Sequence, residues 1–147
     1  MNAIVEPSNI AEQKKQIYLH RVNQLYTQIR FCLQNKPLIL ENDEIEILET
    51  LGHYKVPKLS IKTKENQLLA EFNPSGASIL LAEGAIDVEG CVDRGYLLYM
   101  LKNNPQTFFK VEADDWYWIE ARINVQPQLI KRDKILQIIT YVSDYEF

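Results

Sequence analysis

A run of short strand patterns between Lys58 and Val125, bracketed by helical patterns at both ends, constrains this chain more than any other feature. Turn-forming residues interrupt the run about every ten residues. Connections this short join antiparallel neighbours, because parallel neighbours need crossovers of a dozen or more residues. The sequence therefore predicts an α+β fold with N-terminal helices, a curved antiparallel β-meander of about seven strands and a C-terminal helix.

The first helix is predicted from residue 9 to about residue 35. Asn9 and Glu12 have the spacing of a capping box, and Pro37 ends the helical pattern. Gaps of four and three residues alternate along its apolar stripe, which comprises Tyr18, Val22, Leu25, Ile29 and Cys32. A stripe with this period packs against another layer of the protein.

A second, shorter helix is predicted between Asn42 and Gly52. Asn42, Asp43 and Glu44 supply a cap and an acidic first turn. Gly52 is a typical residue at the C-terminal end of a helix. The alternative is an extended strand from Leu38 to Ile47. The acidic start and the glycine favour the helix, so that the helices together occupy about residues 9–52.

The sheet is predicted over about residues 58–125. Leu59, Ile61 and Thr63 alternate with polar residues, which is typical of a strand with one buried face. The other strands are predicted at 67–72, 77–82, 86–89, 96–101, 108–112 and 116–125. Asn73-Pro74-Ser75-Gly76 and Glu83-Gly84 are predicted to form two of the turns between them.

The last helix is predicted over about residues 128–143. Its buried side comprises Ile135, Ile138, Ile139 and Val142. The chain contains no repeat and no linker that would divide it. A length of 147 residues then corresponds to a single domain, 1–147.

Composition limits the setting in which the chain works. A net charge of −4 disfavours broad binding to nucleic-acid phosphates. No apolar run reaches the length of a membrane span, and the first residues lack the pattern of a signal peptide. Cys32 and Cys91 belong to no disulfide motif, which favours a reducing compartment. We therefore expect a cytoplasmic protein with no membrane contact.

The sequence contains no catalytic motif, no metal-ligand spacing and no phosphate-binding loop, so we expect a non-enzymatic protein without metal or cofactor. Two late strands, 96–101 and 116–125, are apolar on both faces, and a strand of this kind needs cover on both faces. Another protein chain, or a second copy, would provide that cover. The expected contact residues are Trp116, Trp118, Tyr96 and Arg122, because aromatic and arginine side chains dominate interface anchors.

The leading prediction is thus a protein-interaction module: an accessory subunit, or an immunity or adaptor-type protein, in a larger assembly. One alternative is a nucleoprotein or defence-complex subunit that touches nucleic acid through a lysine stripe, Lys55, Lys58, Lys62 and Lys64. The simpler interpretation of that stripe is a solvated edge strand that lysines protect from aggregation. Another alternative is a small-ligand pocket in the curved sheet, lined by Tyr96, Leu98, Met100, Trp116 and Trp118.

Overall fold

The computed structural model describes residues 7–77, 82–104, 110–120 and 126–147, and it confirms the α+β fold. One helix precedes a single open sheet of seven antiparallel strands, and a second helix follows it. The strands lie in the sheet in the order in which they occur in the chain. The elements are α1 Pro7–Leu33, β1 Leu38–Glu49, β2 Gly52–Thr63, β3 Leu68–Gly76, β4 Ala85–Glu89, β5 Arg94–Met100, β6 Asp115–Glu120, β7 Gln128–Leu129 and α2 Arg132–Ser143.

The second helix predicted between Asn42 and Gly52 is a strand in the structure. β1 pairs with β2 over its whole length, and a two-residue turn joins the strands at Thr50 and Leu51. Gly52 has a φ of +113°, which suits this tight turn because glycine has no Cβ to clash there. Long-range pairing therefore outweighs the local cap signals, and the alternative, an extended segment at 38–47, is the correct one.

Other boundaries also differ from the sequence prediction, and most of the predicted strand 77–82 lies outside the described residues. β3 runs through the predicted turn at 73–76, and its register with β4 shifts between Pro74 and Gly76. The described part of 108–112 contains no strand, and the rest of that segment lies outside the described residues. The last helix begins at Arg132, because Gln128 and Leu129 pair with β6 as a short edge strand.

Both helices pack on one face of the sheet, here called the core face. Its sheet residues include Phe72, Val88, Leu97 and Trp118, all buried. The predicted stripes of both helices are buried against it, except that Cys32 is only partly buried. The opposite face, here called the outer face, carries Glu71, Asp87 and Tyr96. Side chains alternate between the faces along the regular part of each strand, so the register assigns the residues of β4, β5 and β6 to one face or the other.

The β1–β2 hairpin changes the face that it buries along its length. Near the base, Leu59 and Ile61 of β2 are buried in the core. Near the tip, Val56 is fully buried and Tyr54 packs against the core, although both have the opposite parity in the strand. Two-stranded ribbons twist more strongly than wide sheets. This twist lets the tip of the hairpin fold toward α1.

Candidate functional site

The two tryptophans predicted as partner contacts are buried, with 3% and 2% of Trp116 and Trp118 exposed. The Trp116 indole N–H donates to the backbone oxygen of Arg21 in α1 at 3.2 Å. The Trp118 ring meets Tyr141 of α2 edge-on, with centroids 5.8 Å apart. Each tryptophan therefore fixes one helix on the sheet. Neither ring is exposed enough for a partner to contact it in this fold.

Trp118 also explains a glycine in the neighbouring strand. A Cβ on Gly95 would lie 2.3 Å from the Trp118 ring, closer than any carbon contact in a folded protein. The ring can approach β5 this closely only because this position lacks a side chain. Trp118 and Gly95 thus form one packing unit in the core.

Tyr96, the third predicted contact, lies on the outer face of β5 and is 37% exposed. Its neighbours across the sheet are Asp87 of β4 and Ile119 of β6. Partial burial is the main cause that raises the pKa of Asp87, and the nearby charge of Glu89 adds to it. The charge of Arg94 acts in the opposite direction. Arg122, the fourth predicted contact, lies outside the described residues.

The predicted small-ligand pocket does not form around its five residues. In the register of β5 and β6, Trp116 lies opposite Tyr99, and Trp118 lies opposite Leu97. Both tryptophans are therefore on the core face, whereas Tyr96, Leu98 and Met100 are on the outer face. The sheet itself separates the two groups.

The predicted lysine stripe lies on β2, apart from Lys64, which follows the strand. Lys58 contacts Glu71 at 2.6 Å, and this hydrogen bond is the main reason that the pKa of Lys58 is raised. Two more lysines have carboxylate partners, since Lys62–Glu41 measures 3.1 Å and Lys55–Glu44 measures 3.8 Å. Acidic neighbours therefore offset the positive charge of three of the four lysines.

The groups capable of catalysis are dispersed over the described residues. Cys91 is exposed in the β4–β5 turn, and His53 lies beside the β1–β2 turn. These turns are at opposite ends of the antiparallel sheet, so the two side chains do not form a pair. Within the described ranges, no three His, Cys, Asp or Glu side chains are grouped so that they could hold a metal ion.

Tyr18 of α1, which is buried, and Tyr54 of β2, which is partly buried, bond to groups where β3 ends and β4 begins. The Tyr18 hydroxyl donates to the Ala85 oxygen at 2.6 Å and accepts the Gly76 N–H at 3.2 Å. Tyr54 donates to the Glu49 carboxylate, which also accepts the Ala77 N–H at 2.8 Å. Burial is the main cause of the raised pKa of both tyrosines. The two hydroxyls donate to the Ala85 oxygen and to Glu49, and the N–H groups of Gly76 and Ala77 are held in turn by the Tyr18 oxygen and the Glu49 carboxylate.

Three large apolar side chains are exposed along one side of α1: Ile10, Ile17 and Phe31, at 44%, 48% and 58%. They are separated by seven and fourteen residues, so they lie within about 60° of arc on the helix. We call this set the α1 stripe. At one end, Phe31 borders a depression of about 260 Å³ between α1 and α2, whose lining includes Lys36, Asp133 and Leu136.

The sequence prediction missed the α1 stripe. Ile17 and Phe31 do not fit the buried period of the helix, and they stand among residues of a polar side. The spacing of the three residues by multiples of seven could have revealed the stripe, because residues at such spacing lie on the same side of a helix.

Comparisons of the chain with protein-family models, curated proteins and solved structures gave no match. Neither helix of the described ranges combines the length and the apolarity needed to cross a membrane.

Proposed function

We propose that this protein is a non-enzymatic interaction module, a small accessory subunit or an immunity or adaptor-type protein that binds another protein chain. The observation that carries the proposal is the α1 stripe, in which Ile10, Ile17 and Phe31 are each more than two-fifths exposed. Single exposed apolar residues are normal on a soluble protein. Three on one side of one helix form a row of the kind that docks into an apolar groove.

The charge of α1 indicates the chemistry of that groove. Four residues of the helix are lysine or arginine, and Glu12 is its only acidic residue. Of the bases, Lys14 lies beside the α1 stripe and is exposed. A groove with an apolar floor and an acidic rim would therefore fit the helix, because opposite rim charges favour encounter and orientation.

The alternatives have less support from the geometry. Nucleic-acid contact through the lysine stripe remains a prediction, but Lys55, Lys58 and Lys62 each have a carboxylate within 4 Å. An RNA or DNA phosphate would have to compete with those carboxylates. A ligand site in the sheet would need a lining other than the one predicted from the sequence.

Affinity purification of the tagged protein from its native host tests the proposal. The stripe variant is Ile17→Ser/Phe31→Ser, and the control is Leu68→Ser/Val92→Ser, which removes two exposed apolar side chains that lie outside α1. We expect one protein to be enriched by the wild type and by the control, and to be lost with the stripe variant. Circular dichroism establishes that all three are folded.

Two results would overturn the proposal. In one, the wild type enriches no protein above background and is a monomer by light scattering. In the other, the stripe variant recovers the same partner as efficiently as the wild type does.

A further inference from the structure

β1 leaves one of its two edges unpaired within the described part of the chain. It is the first strand of the open sheet and pairs there with β2. The other sheet edge, β7, has two residues, whereas β1 has twelve. A long free edge presents a row of backbone donors and acceptors to which another strand can be added.

A proline identifies the residues that face outward. Pro57 lies opposite Glu44 and has no N–H, so these two residues cannot exchange both ladder hydrogen bonds. Hydrogen-bonded and non-hydrogen-bonded pairs alternate in an antiparallel ladder. The outward residues are therefore Leu40, Asn42, Glu44, Glu46 and Leu48. Of their side chains, all but Leu40 are exposed, so the described residues leave this side of β1 open to solvent.

The charge of β1 determines which strand can be added. Five of its twelve residues are acidic and none is basic. In a pairing of β1 with a second copy of itself, acidic side chains would lie next to one another, which destabilises a sheet. The same acids attract a basic segment. Glu44 and Glu46 keep 61% and 54% of their side chains exposed despite their contacts with Lys55 and His53, so each can accept another cation.

The two faces of β1 add a second requirement. Glu44 and Glu46 point to one face, and Ile45 and Ile47 point to the other, where they are partly buried against the core. An added strand would place alternate side chains beside the carboxylates and beside the isoleucines. Its sequence should therefore alternate basic and aliphatic residues over about five to seven positions.

We propose that β1 binds an extended partner segment of alternating basic and aliphatic residues by strand addition at its free edge. This surface is distinct from the α1 stripe. The two proposals therefore stand or fall separately.

Titration with synthetic peptides tests the inference. The probe is a peptide that alternates lysine and valine. One comparison peptide has the same composition with its lysines in one block, and another replaces lysine by glutamate. We expect saturable binding of the alternating peptide. The other two peptides should bind with an affinity at least tenfold lower. Amide hydrogen exchange should slow at Asn42, Glu44 and Glu46, because a new strand bonds to these outward N–H groups.

Matched variants separate strand addition from general charge attraction. Glu44→Gln/Glu46→Gln removes two charges at the edge and should weaken binding roughly fivefold. Glu65→Gln/Glu112→Gln removes two exposed charges elsewhere and should leave binding within twofold of wild type. Glu46→Pro deletes one outward N–H at an edge position that tolerates proline, and it should weaken binding even when the variant is folded.

Three results with peptide would overturn the inference. The alternating peptide does not bind at millimolar concentration, or it binds without slowing exchange at the outward amides, or the glutamate peptide binds equally well. A fourth result is that, without peptide, exchange at the outward amides of β1 slows as the protein concentration rises. That result would show that a second copy binds this edge, and it would also overturn the inference. Wild-type binding to a host protein through the α1 stripe is unaffected by these outcomes.

Discussion

Replacing Tyr18 by phenylalanine tests whether its hydroxyl joins α1 to the sheet. Tyr18 is 1% exposed, and its hydroxyl bonds to the Ala85 oxygen and the Gly76 N–H. Tyr18→Phe keeps the ring and removes both hydrogen bonds, which leaves two buried backbone groups without this partner. Leaving such a group unsatisfied costs about 1–3 kcal/mol, and the two groups share one site, so we expect a total loss of about 2–3 kcal/mol.

Urea denaturation, monitored by the fluorescence of the buried tryptophans, measures this loss of stability. For a chain of 147 residues the unfolding entropy is about 0.3 kcal/mol/K, so Tm should fall by about 7–10 °C. The slope of the free energy of unfolding against urea should not change, because the fold is the same. Tyr96→Phe, at an exposed ring, is the control and should cost less than about 0.5 kcal/mol. A Tyr18→Phe value as small as that of the control would refute the structural role of the hydroxyl.

Two further predictions concern the β4–β5 region. A Cβ at Gly90 would lie 2.2 Å from the Val142 oxygen, which accepts the Val92 N–H at 2.9 Å. Gly90→Ala should therefore displace the end of α2 and lower the free energy of unfolding by about 1–3 kcal/mol in urea denaturation. An unchanged urea midpoint would contradict this. The pKa of Asp87 is higher in the folded protein than in the unfolded chain, so the protonated carboxyl stabilises the fold. This contribution to the free energy of unfolding is fully present below the unfolded pKa and is lost as pH rises through the folded pKa. Asp87→Asn should therefore raise Tm at pH 7 and lose that advantage near pH 3, and an equal difference at both pH values would argue against it.

The helices α1 and α2 and the sequential order of the strands were predictable because they depend on short-range periodicity and short connections. The buried residues of α1 and α2 recur at helical spacing, and β2 alternates with a period of two over Leu59–Thr63. These patterns record which side of an element faces the core. No long-range information is needed to interpret them.

β1 was mispredicted because its local and long-range preferences conflict. Asn42 to Glu44 resemble the start of a helix, and Gly52 resembles its end, yet twelve consecutive pairs with β2 decide the structure. Cap signals are worth about 1 kcal/mol each. Pairing over a whole hairpin, with Val56 and Tyr54 packed on the core, outweighs them.

The prediction that an outside chain must cover the late strands was incomplete for a related reason. Tyr117 is buried on the outer face, where its hydroxyl donates to the Ala113 oxygen at 2.8 Å and accepts the Ala113 N–H at 3.1 Å. The segment that leads into β6 therefore provides part of the cover. A periodicity argument identifies an apolar face but does not show that a nearby loop folds over it.

The acids of β1 connect the misprediction of this strand to its proposed role. The same Asn42–Glu44 segment that resembles a helix start supplies charge along the free edge. An apolar edge of twelve residues would pair with copies of itself, whereas like charges oppose that pairing. Repulsion between copies and attraction to a basic strand are two consequences of one charge pattern. Neutralising Glu44 and Glu46 should therefore weaken peptide binding and also increase self-association, and light scattering of the double variant measures the second effect independently of the first.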